Sequence, residues 1–111
     1  MKVFVYGTLK RNKTRHDFLK HAAFIGEDTI SGYGLYGHKK ADYPFACVDD
    51  DTLQGEVYEV NDVKLSILIQ IEVFPDLFGM DLVETKYGHA IIFVCRNKHN
   101  LYLYKMKRNS W

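Results

Sequence analysis

Residues 23–60 constrain the fold most, because this stretch has the pattern of β-strands over nearly its whole length. Aromatic and β-branched residues recur along it, and glycines interrupt it at short intervals. Glycines inside a strand pattern mark bends in a curved sheet or close approaches of two backbones. Four strands are predicted here, at residues 24–30, 33–36, 45–48 and 52–60. The three consecutive aspartates at 49–51 are expected at a hairpin tip exposed to water.

Strand patterns also flank this stretch on both sides. Residues 2–6 form a nearly continuous apolar run, which is typical of a strand buried on both faces. Residues 80–85 and 89–96 predict two strands around a tight turn, and residues 101–107 predict a last strand at an edge protected by basic side chains. A chain of 111 residues suits a single domain, residues 1–111. The fold class we expect is α+β, a small mixed β-barrel flanked by one or two short helices.

The segment after Asn61 carries two conflicting patterns. Five apolar residues alternate with their neighbours, which favours a strand. They are Val63, Leu65, Ile67, Ile69 and Ile71. A helical stripe behind a polar cap, Leu65, Leu68 and Ile69 after Asn61 or Asp62, favours a helix instead. From the pattern alone a strand is preferred, because most of these residues are β-branched. Earlier in the chain, a short helix is predicted from Asn12 or Thr14 through Ala22.

Composition limits the classes of function. Hydrophobic residues make up 47% of the chain and charged residues 26%, which is typical of a folded globular protein. The formal net charge of +1 produces no overall field that would favour nucleic acid or a membrane surface. No apolar run approaches the roughly 20 residues of a membrane span, and no signal peptide precedes the first strand. We therefore expect a cytoplasmic protein with neither a membrane nor a nucleic acid as its partner.

The cysteines and histidines predict neither a metal site nor a redox site. Cys47 and Cys95 lie in apolar runs, so buried reduced thiols are expected. His16 and His21 do not have the i, i+4 spacing that places two metal ligands on one helix face. There is no Cys-x-x-Cys pair and no nucleophile elbow around a serine. No metal and no cofactor are expected.

The turn after the first strand is the main candidate for a site. Gly7 and the hydroxyl residue Thr8 end the apolar run, and a basic patch follows. Backbone N–H groups exposed at such a strand-to-loop turn form a concave site that suits a carboxylate. Taken alone, the motif favours an ordinary turn without a ligand.

Two longer motifs carry a resemblance to a known family. They are Val3-Phe4-Val5-Tyr6-Gly7-Thr8-Leu9-Lys10 and Gln54-Gly55-Glu56-Val57-Tyr58-Glu59-Val60. Weaker matches stand between them, at residues 24–26, 30–36 and 43–46. In this order the motifs resemble those of the γ-glutamylcyclotransferase-like proteins, which include the γ-glutamylamine cyclotransferases and the AIG2-like group. The resemblance covers nearly the whole chain.

This resemblance implies a small mixed β-barrel and a set of site residues. Backbone groups of the family's Tyr-Gly-Ser/Thr-Leu turn contact the α-carboxylate of the substrate, and the matching residues here are Tyr6, Gly7, Thr8 and Leu9. The family's catalytic glutamate lies on a short helix after the Gly-Glu-Val-Tyr strand, and Glu72 matches it. The resemblance therefore implies a helix over residues 62–72 rather than a strand.

The reaction that the resemblance implies is intramolecular. The free α-amino group of a γ-glutamyl compound attacks its own γ-carbonyl, and the products are 5-oxoproline and a released amine or amino acid. The glutamate takes a proton from the amine and passes it to the leaving nitrogen. The expected partner is a small γ-glutamyl amine or peptide, and a barrel of this size is expected to be a monomer.

The chain departs from the family pattern around the catalytic glutamate. The family's aspartate three residues before it is Ile69 here, and the glycine after it is Val73. A later tyrosine is Phe78, which stays a candidate substrate contact, and the arginine after it is Gly79 or Met80 here. These departures leave a second hypothesis open. The chain would then be a catalytically impaired binding or regulatory protein that recognises a small metabolite or a protein.

Overall fold

The computed structural model describes residues 1–7, 9–13, 16–72, 78–96 and 101–111, without the side chains of residues 41–43, 70–72 and 78. The described chain contains six strands, one short 3₁₀ helix and one α-helix. The strands are β1 (Lys2–Val5), β2 (Ala23–His38), β3 (Ala41–Glu59), β4 (Phe78–Thr85), β5 (Gly88–Cys95) and β6 (Leu103–Lys105). The 3₁₀ helix is His16–Leu19, and the α-helix α1 is Asp62–Glu72.

The strands form one mixed sheet in the order β4-β5-β1-β3-β2-β6. β1 and β5 are parallel, and the other neighbours are antiparallel. The sheet curls so far that the turn between β4 and β5 reaches β2. There the amide N–H of Lys86 donates to Asp28 Oδ2 at 2.8 Å, and the Tyr87 hydroxyl donates to the carbonyl of Glu27 at 3.0 Å. The α+β prediction of a small mixed barrel is confirmed, in the form of a half-barrel.

The middle of the chain forms two long strands rather than four short ones. The prediction that residues 49–51 form a hairpin tip is wrong, because they lie inside β3. Ser31 pairs with Thr52 and Tyr33 pairs with Val48, so three aspartates lie opposite Gly32 alone. Gly32 has a φ of +91°, which lets β2 follow this bulge. The β2–β3 hairpin turns at residues 39–40 instead.

Residues 62–72 form a helix, so the strand that the apolar alternation favoured is wrong and the helix implied by the resemblance is confirmed. Asn61 caps it, since its Oδ1 accepts a hydrogen bond from the amide N–H of Lys64 at 2.7 Å. One stripe of the helix packs on the sheet, with Leu68 fully buried. Val63, a member of the alternating set, is 71% exposed. The buried period is therefore that of a helix. The earlier helix is shorter than predicted and covers only the 3₁₀ turn.

The two faces of the sheet carry separate clusters of buried residues. Side chains of the inner face pack against one another, among them Phe4 of β1 and Tyr6, which directly follows β1. The outer face carries Val3 and Val5 and is covered by the 3₁₀ helix and α1. Neither helix of the described chain is long and apolar enough to cross a membrane.

The two cysteines lie in a third, smaller cluster. Cys47 of β3 and Cys95 of β5 are buried free thiols that pack with Phe45. This confirms that both are buried free thiols, as expected.

Candidate active site

The turn after β1 is held in a defined conformation. The amide N–H of Lys10 donates to the carbonyl of Gly7 at 3.0 Å, and His16 Nδ1 lies 3.0 Å from the carbonyl of Leu9. Gly7 packs closely against β3, since a Cβ atom there would lie 3.0 Å from Cγ of Pro44. A larger residue at position 7 would therefore push the turn away from the sheet. Thr8 lies outside the described residues.

Two main-chain donors of this turn have no acceptor within the described part of the chain. No described residue accepts a hydrogen bond from the amide N–H of Gly7 or of Leu9. The neighbouring N–H groups of Lys10 and Arg11 are used, by Gly7 itself and by Glu56. Unpaired N–H groups close together at a turn form a cradle for an anionic oxygen. The N–H groups of Gly7 and Leu9 are therefore candidates for such a cradle, and the binding of a carboxylate there stays a prediction.

The side chain of Tyr6 lies inside the barrel. The residue is 6% exposed. Its hydroxyl donates to the carbonyl of Phe93 at 2.7 Å and accepts from the amide N–H of Ala46 at 3.1 Å. The hydroxyl therefore connects β5 to β3 across the inner face. Its role as a substrate contact stays a prediction, and the main chain is the part of Tyr6 that adjoins the turn.

The helix α1 packs on the outer face of the sheet. The segment that leads into it lies beside the start of β1, where the amide N–H of Val60 donates to the carbonyl of Met1 at 2.9 Å. Leu68, one turn before the end of the helix, packs in the same cluster as Leu9.

Two predicted site residues cannot be placed by their side chains. Glu72 is the last residue of α1, and Phe78 is the first residue of β4. The side chains of both lie outside the described residues. The catalytic role of Glu72 and the substrate contact of Phe78 therefore stay predictions.

Glu56 of β3 is a buried carboxylate next to the loop that follows β1. It is 5% exposed and faces the outer side of β3. Its Oε1 accepts from the amide N–H of Arg11 at 2.9 Å and from the Tyr58 hydroxyl at 3.0 Å, and its Oε2 lies 3.3 Å from Arg11 Nε. Burial and the hydrogen bond to Glu56 raise the pKa of Tyr58. Sequence reasoning treated Glu56 only as part of a motif, although a charged residue between Gly55 and Val57 in a buried strand was a signal.

A shallow depression of about 370 Å³ opens beside Glu56 and Lys10. Desolvation lowers the pKa of Lys10, whose Nζ lies 3.3 Å from Ser110 Oγ. The acidic groups around it already have partners, because Asp28 accepts from Lys86 and from Thr29. Among the described residues, no group of three or more His, Cys, Asp or Glu side chains is arranged to hold a metal ion.

The departures from the family pattern have local explanations where the structure describes them. Ile69 packs against the outer-face cluster, where an aspartate would lose this apolar contact. Gly79 is one of the two residues that stand where the family has its arginine. A side chain at this position would collide with the guanidinium of Arg96. That guanidinium is held by Asp81 Oδ1 at 2.9 Å and by the carbonyl of Met80 at 2.9 Å. A guanidinium is therefore present over Gly79, although it comes from the end of β5.

Comparison with known proteins finds relatives in the family that the sequence motifs resemble. The protein YtfP of Escherichia coli K12, named as a γ-glutamylcyclotransferase family protein, is 31% identical over 96 residues, which are 85% of this chain and 81% of YtfP. The solution structure of E. coli YtfP matches with a TM-score of 0.78 and 28% identity and covers 100% of this chain and 96% of that one.

A protein of Pyrococcus horikoshii is more similar in sequence, with 40% identity over 95 residues, 84% of this chain and 77% of that protein. Its crystal structure matches with a TM-score of 0.77, 36% identity, and coverage of 86% of this chain and 77% of that one. The family model described as γ-glutamyl cyclotransferase, AIG2-like, matches residues 3–111. The chain therefore belongs to the AIG2-like γ-glutamylcyclotransferase family.

Proposed function

We propose that the protein is an enzyme that cyclises a γ-glutamyl amine or peptide to 5-oxoproline and releases the amine. Membership of the γ-glutamylcyclotransferase family supports the reaction class. The observation that carries the proposal is the turn after β1, whose Gly7 and Leu9 N–H groups have no acceptor among the described residues. Glu72 is the last residue of α1, the helix that follows β3, and this is where the resemblance expects the catalytic glutamate.

The chemistry then needs little more than correct placement. The turn binds the α-carboxylate through N–H groups, which orients the neighbouring α-amino group. The γ-carbonyl of the same molecule folds back towards that amine, so nucleophile and electrophile meet without a bimolecular step. Binding energy at the carboxylate thereby lowers the entropic cost of ring closure.

Proton transfer completes the reaction. The α-amino nitrogen forms a bond to the γ-carbon and loses a proton, and the bond from the γ-carbon to the leaving nitrogen breaks. We assign to Glu72 the removal of the proton from the attacking nitrogen and its delivery to the leaving nitrogen. The products are 5-oxoproline, whose ring contains the new amide bond and whose α-carboxylate is unchanged, and a free amine. The one proton lost by the attacking nitrogen ends on the leaving nitrogen.

The test is release of 5-oxoproline from a panel of γ-glutamyl amines, amino acids and peptides by the purified protein. Glu72→Gln is expected to lower kcat by about 10²- to 10⁴-fold, the typical contribution of a general acid–base group. Glu84→Gln is the matched control, because Glu84 is exposed and pairs only with His89 in the described structure. Equal activity of wild type and Glu72→Gln would contradict the assignment of Glu72.

A non-catalytic binding protein is the second candidate. The observation that favours it is Ile69, whose apolar packing replaces the family's aspartate one turn before Glu72. Such a protein would bind a small γ-glutamyl metabolite or a protein partner and release no 5-oxoproline. Binding of 5-oxoproline or a γ-glutamyl amino acid by a folded protein with no turnover across the panel would support it.

A further inference from the structure

We propose that Glu56 is a positioning residue for the turn after β1, an inference that rests on the proposed function of that turn. Its carboxylate holds the main chain of Arg11, and through it the conformation in which the N–H groups of Gly7 and Leu9 face a substrate carboxylate. Glu56 itself does not touch the reacting atoms.

The burial of Glu56 requires an explanation. A carboxylate that is 5% exposed loses most of its hydration, and such a group persists only where hydrogen bonds replace the lost water. Two of its three described partners come from the same residue, the amide N–H and Nε of Arg11. Arg11 is 45 residues away in sequence. The carboxylate is therefore directed at the loop rather than at its own sheet.

The position of Glu56 suits this role. In the ladder between β1 and β3 it lies directly opposite Val5, the last residue of β1. The chain leaves the sheet after Val5, and the hydrogen bond from Lys10 N–H to the Gly7 carbonyl closes the turn. The next residue, Arg11, is bound to Glu56 through its amide N–H. The covalent chain fixes one end of the turn and Glu56 fixes the other. Loss of the carboxylate would free one end and leave the other unchanged.

Tyr58, two residues further along β3, also binds the Glu56 carboxylate. Its hydroxyl donates to the same oxygen, Oε1, that accepts from Arg11 N–H. The ring of Tyr58 packs against Phe24 with centroids 5.4 Å apart and against His16 with centroids 5.8 Å apart. His16 in turn contacts the carbonyl of Leu9. The turn is thus held at two points, and both lie next to Tyr58.

The experiment compares replacements of Glu56 that differ in one property. Glu56→Gln keeps an oxygen that can accept from Arg11 N–H, whereas Glu56→Leu keeps the volume and removes both acceptors. Replacement of a buried charge by an apolar residue of similar volume is often neutral for stability, and Glu56→Met serves the same purpose if the leucine variant does not fold. Val83→Ala is the control, because Val83 is buried in the inner-face cluster away from the turn.

The first measurement is amide hydrogen exchange at Lys10 by NMR. Lys10 N–H bonds to Gly7 and not to Glu56, so its protection changes only if Glu56 holds the turn as a whole. Glu56→Leu is expected to accelerate this exchange by about tenfold or more, because loss of a hydrogen bond to a charged group changes an equilibrium constant by about that much. Glu56→Gln keeps an acceptor for Arg11 N–H and is expected to accelerate it by less than about threefold. Unchanged exchange in Glu56→Leu, or equal acceleration in Val83→Ala, would overturn the proposal.

The second measurement separates KM from kcat with a γ-glutamyl compound that the wild type cyclises. Glu56→Leu is expected to raise KM by about tenfold or more with a smaller change in kcat, because the turn binds the substrate in ground state and transition state alike. Glu56→Gln is expected to restore most of the affinity. A fall in kcat with unchanged KM would contradict the positioning role. If the wild type cyclises none of the panel, the proposed function fails, while the exchange of Lys10 still decides whether Glu56 holds the turn.

Discussion

Tyr6 and Glu56 lie next to each other at the end of the β1–β3 ladder, and their side chains lie on opposite faces of the sheet. Both are buried polar residues that bond to main-chain groups far away in sequence. Tyr6 faces inward, is uncharged and connects β5 to β3. Glu56 faces outward, carries a charge and connects β3 to the loop at Arg11.

The difference between a neutral and a charged buried group suits Tyr6 to a structural role and Glu56 to a role at the candidate site. A neutral hydroxyl costs less to bury than a carboxylate, and it can satisfy one donor and one acceptor of the sheet at once. A carboxylate only accepts, so it gathers donors, and the donors available beside Glu56 belong to the loop. We therefore expect changes at Tyr6 to affect stability and changes at Glu56 to affect the conformation of the turn.

Tyr6→Phe is the largest expected effect on stability. The ring stays in the inner-face cluster, but the carbonyl of Phe93 and the N–H of Ala46 lose their partner inside the barrel. Two buried unpaired groups cost about 2–4 kcal/mol together. Urea denaturation of the variant measures this loss. A variant as stable as the wild type but with a raised KM would instead support the predicted contact of the Tyr6 hydroxyl with substrate.

Tyr58→Phe tests the outward-facing partner with the same chemical change. Glu56 Oε1 keeps the N–H of Arg11 when the Tyr58 hydroxyl is removed, so we expect a smaller loss of about 1–2 kcal/mol. The measurement is the same denaturation series. A loss equal to that of Tyr6→Phe would mean that the two faces depend on their buried hydroxyl groups to the same extent.

Arg11→Ala sharpens the contrast between main chain and side chain. The guanidinium is half exposed, pairs with Glu56 and Glu27 at 3.3 Å each and lies 4.1 Å from the ring centre of Phe24. The pair with Glu27 is exposed on both sides and contributes below about 1 kcal/mol. Glu56 is buried and loses the Nε of Arg11, but it keeps the Arg11 N–H and the Tyr58 hydroxyl. We expect the free energy of unfolding to fall by about 1 kcal/mol and Lys10 exchange to change little. Exchange as fast as in Glu56→Leu would shift the positioning role from the Arg11 main chain to its guanidinium.

The partly buried pair Tyr36–Asp49 is a counterpart of Tyr58–Glu56 and has the smallest expected effect. The Tyr36 hydroxyl at 2.6 Å, the N–H of Asp50 and Lys105 lower the pKa of Asp49 to about 2. Because the folded value lies below the unfolded one, this group stabilises the protein above pH 4 or so, and that contribution is lost as the pH falls towards 2.

NMR titration of the Asp49 carboxyl carbon measures this pKa, and Asp49→Asn is the control. We expect the variant to show a weaker dependence of unfolding on pH between about 4 and 2. A carboxyl that titrates near the ordinary value of 3.8 would show that the hydrogen bond from Tyr36 does not persist in solution.

Most of the elements were predictable from sequence, because alternation and glycine spacing report which face of the chain is buried. The positions of β1, β4 and β5 follow from local patterns. The bulge at residues 49–51 was misread, since three aspartates have the composition of a turn whether they join two strands or interrupt one. The turn at Gly7 was predicted as a site, while Glu56, which holds it, was not.

The sequence by itself determined the strands, the buried thiols of Cys47 and Cys95, and the glycine that ends the first strand, because each depends on neighbours within a few residues. The family resemblance, also read from sequence, decided the helix at residues 62–72 against the local alternation. Only the tertiary structure showed that Glu56 is paired with Arg11 and that Tyr6 spans the barrel. Both depend on contacts between residues 40 or more positions apart, and a local pattern does not record which distant groups meet.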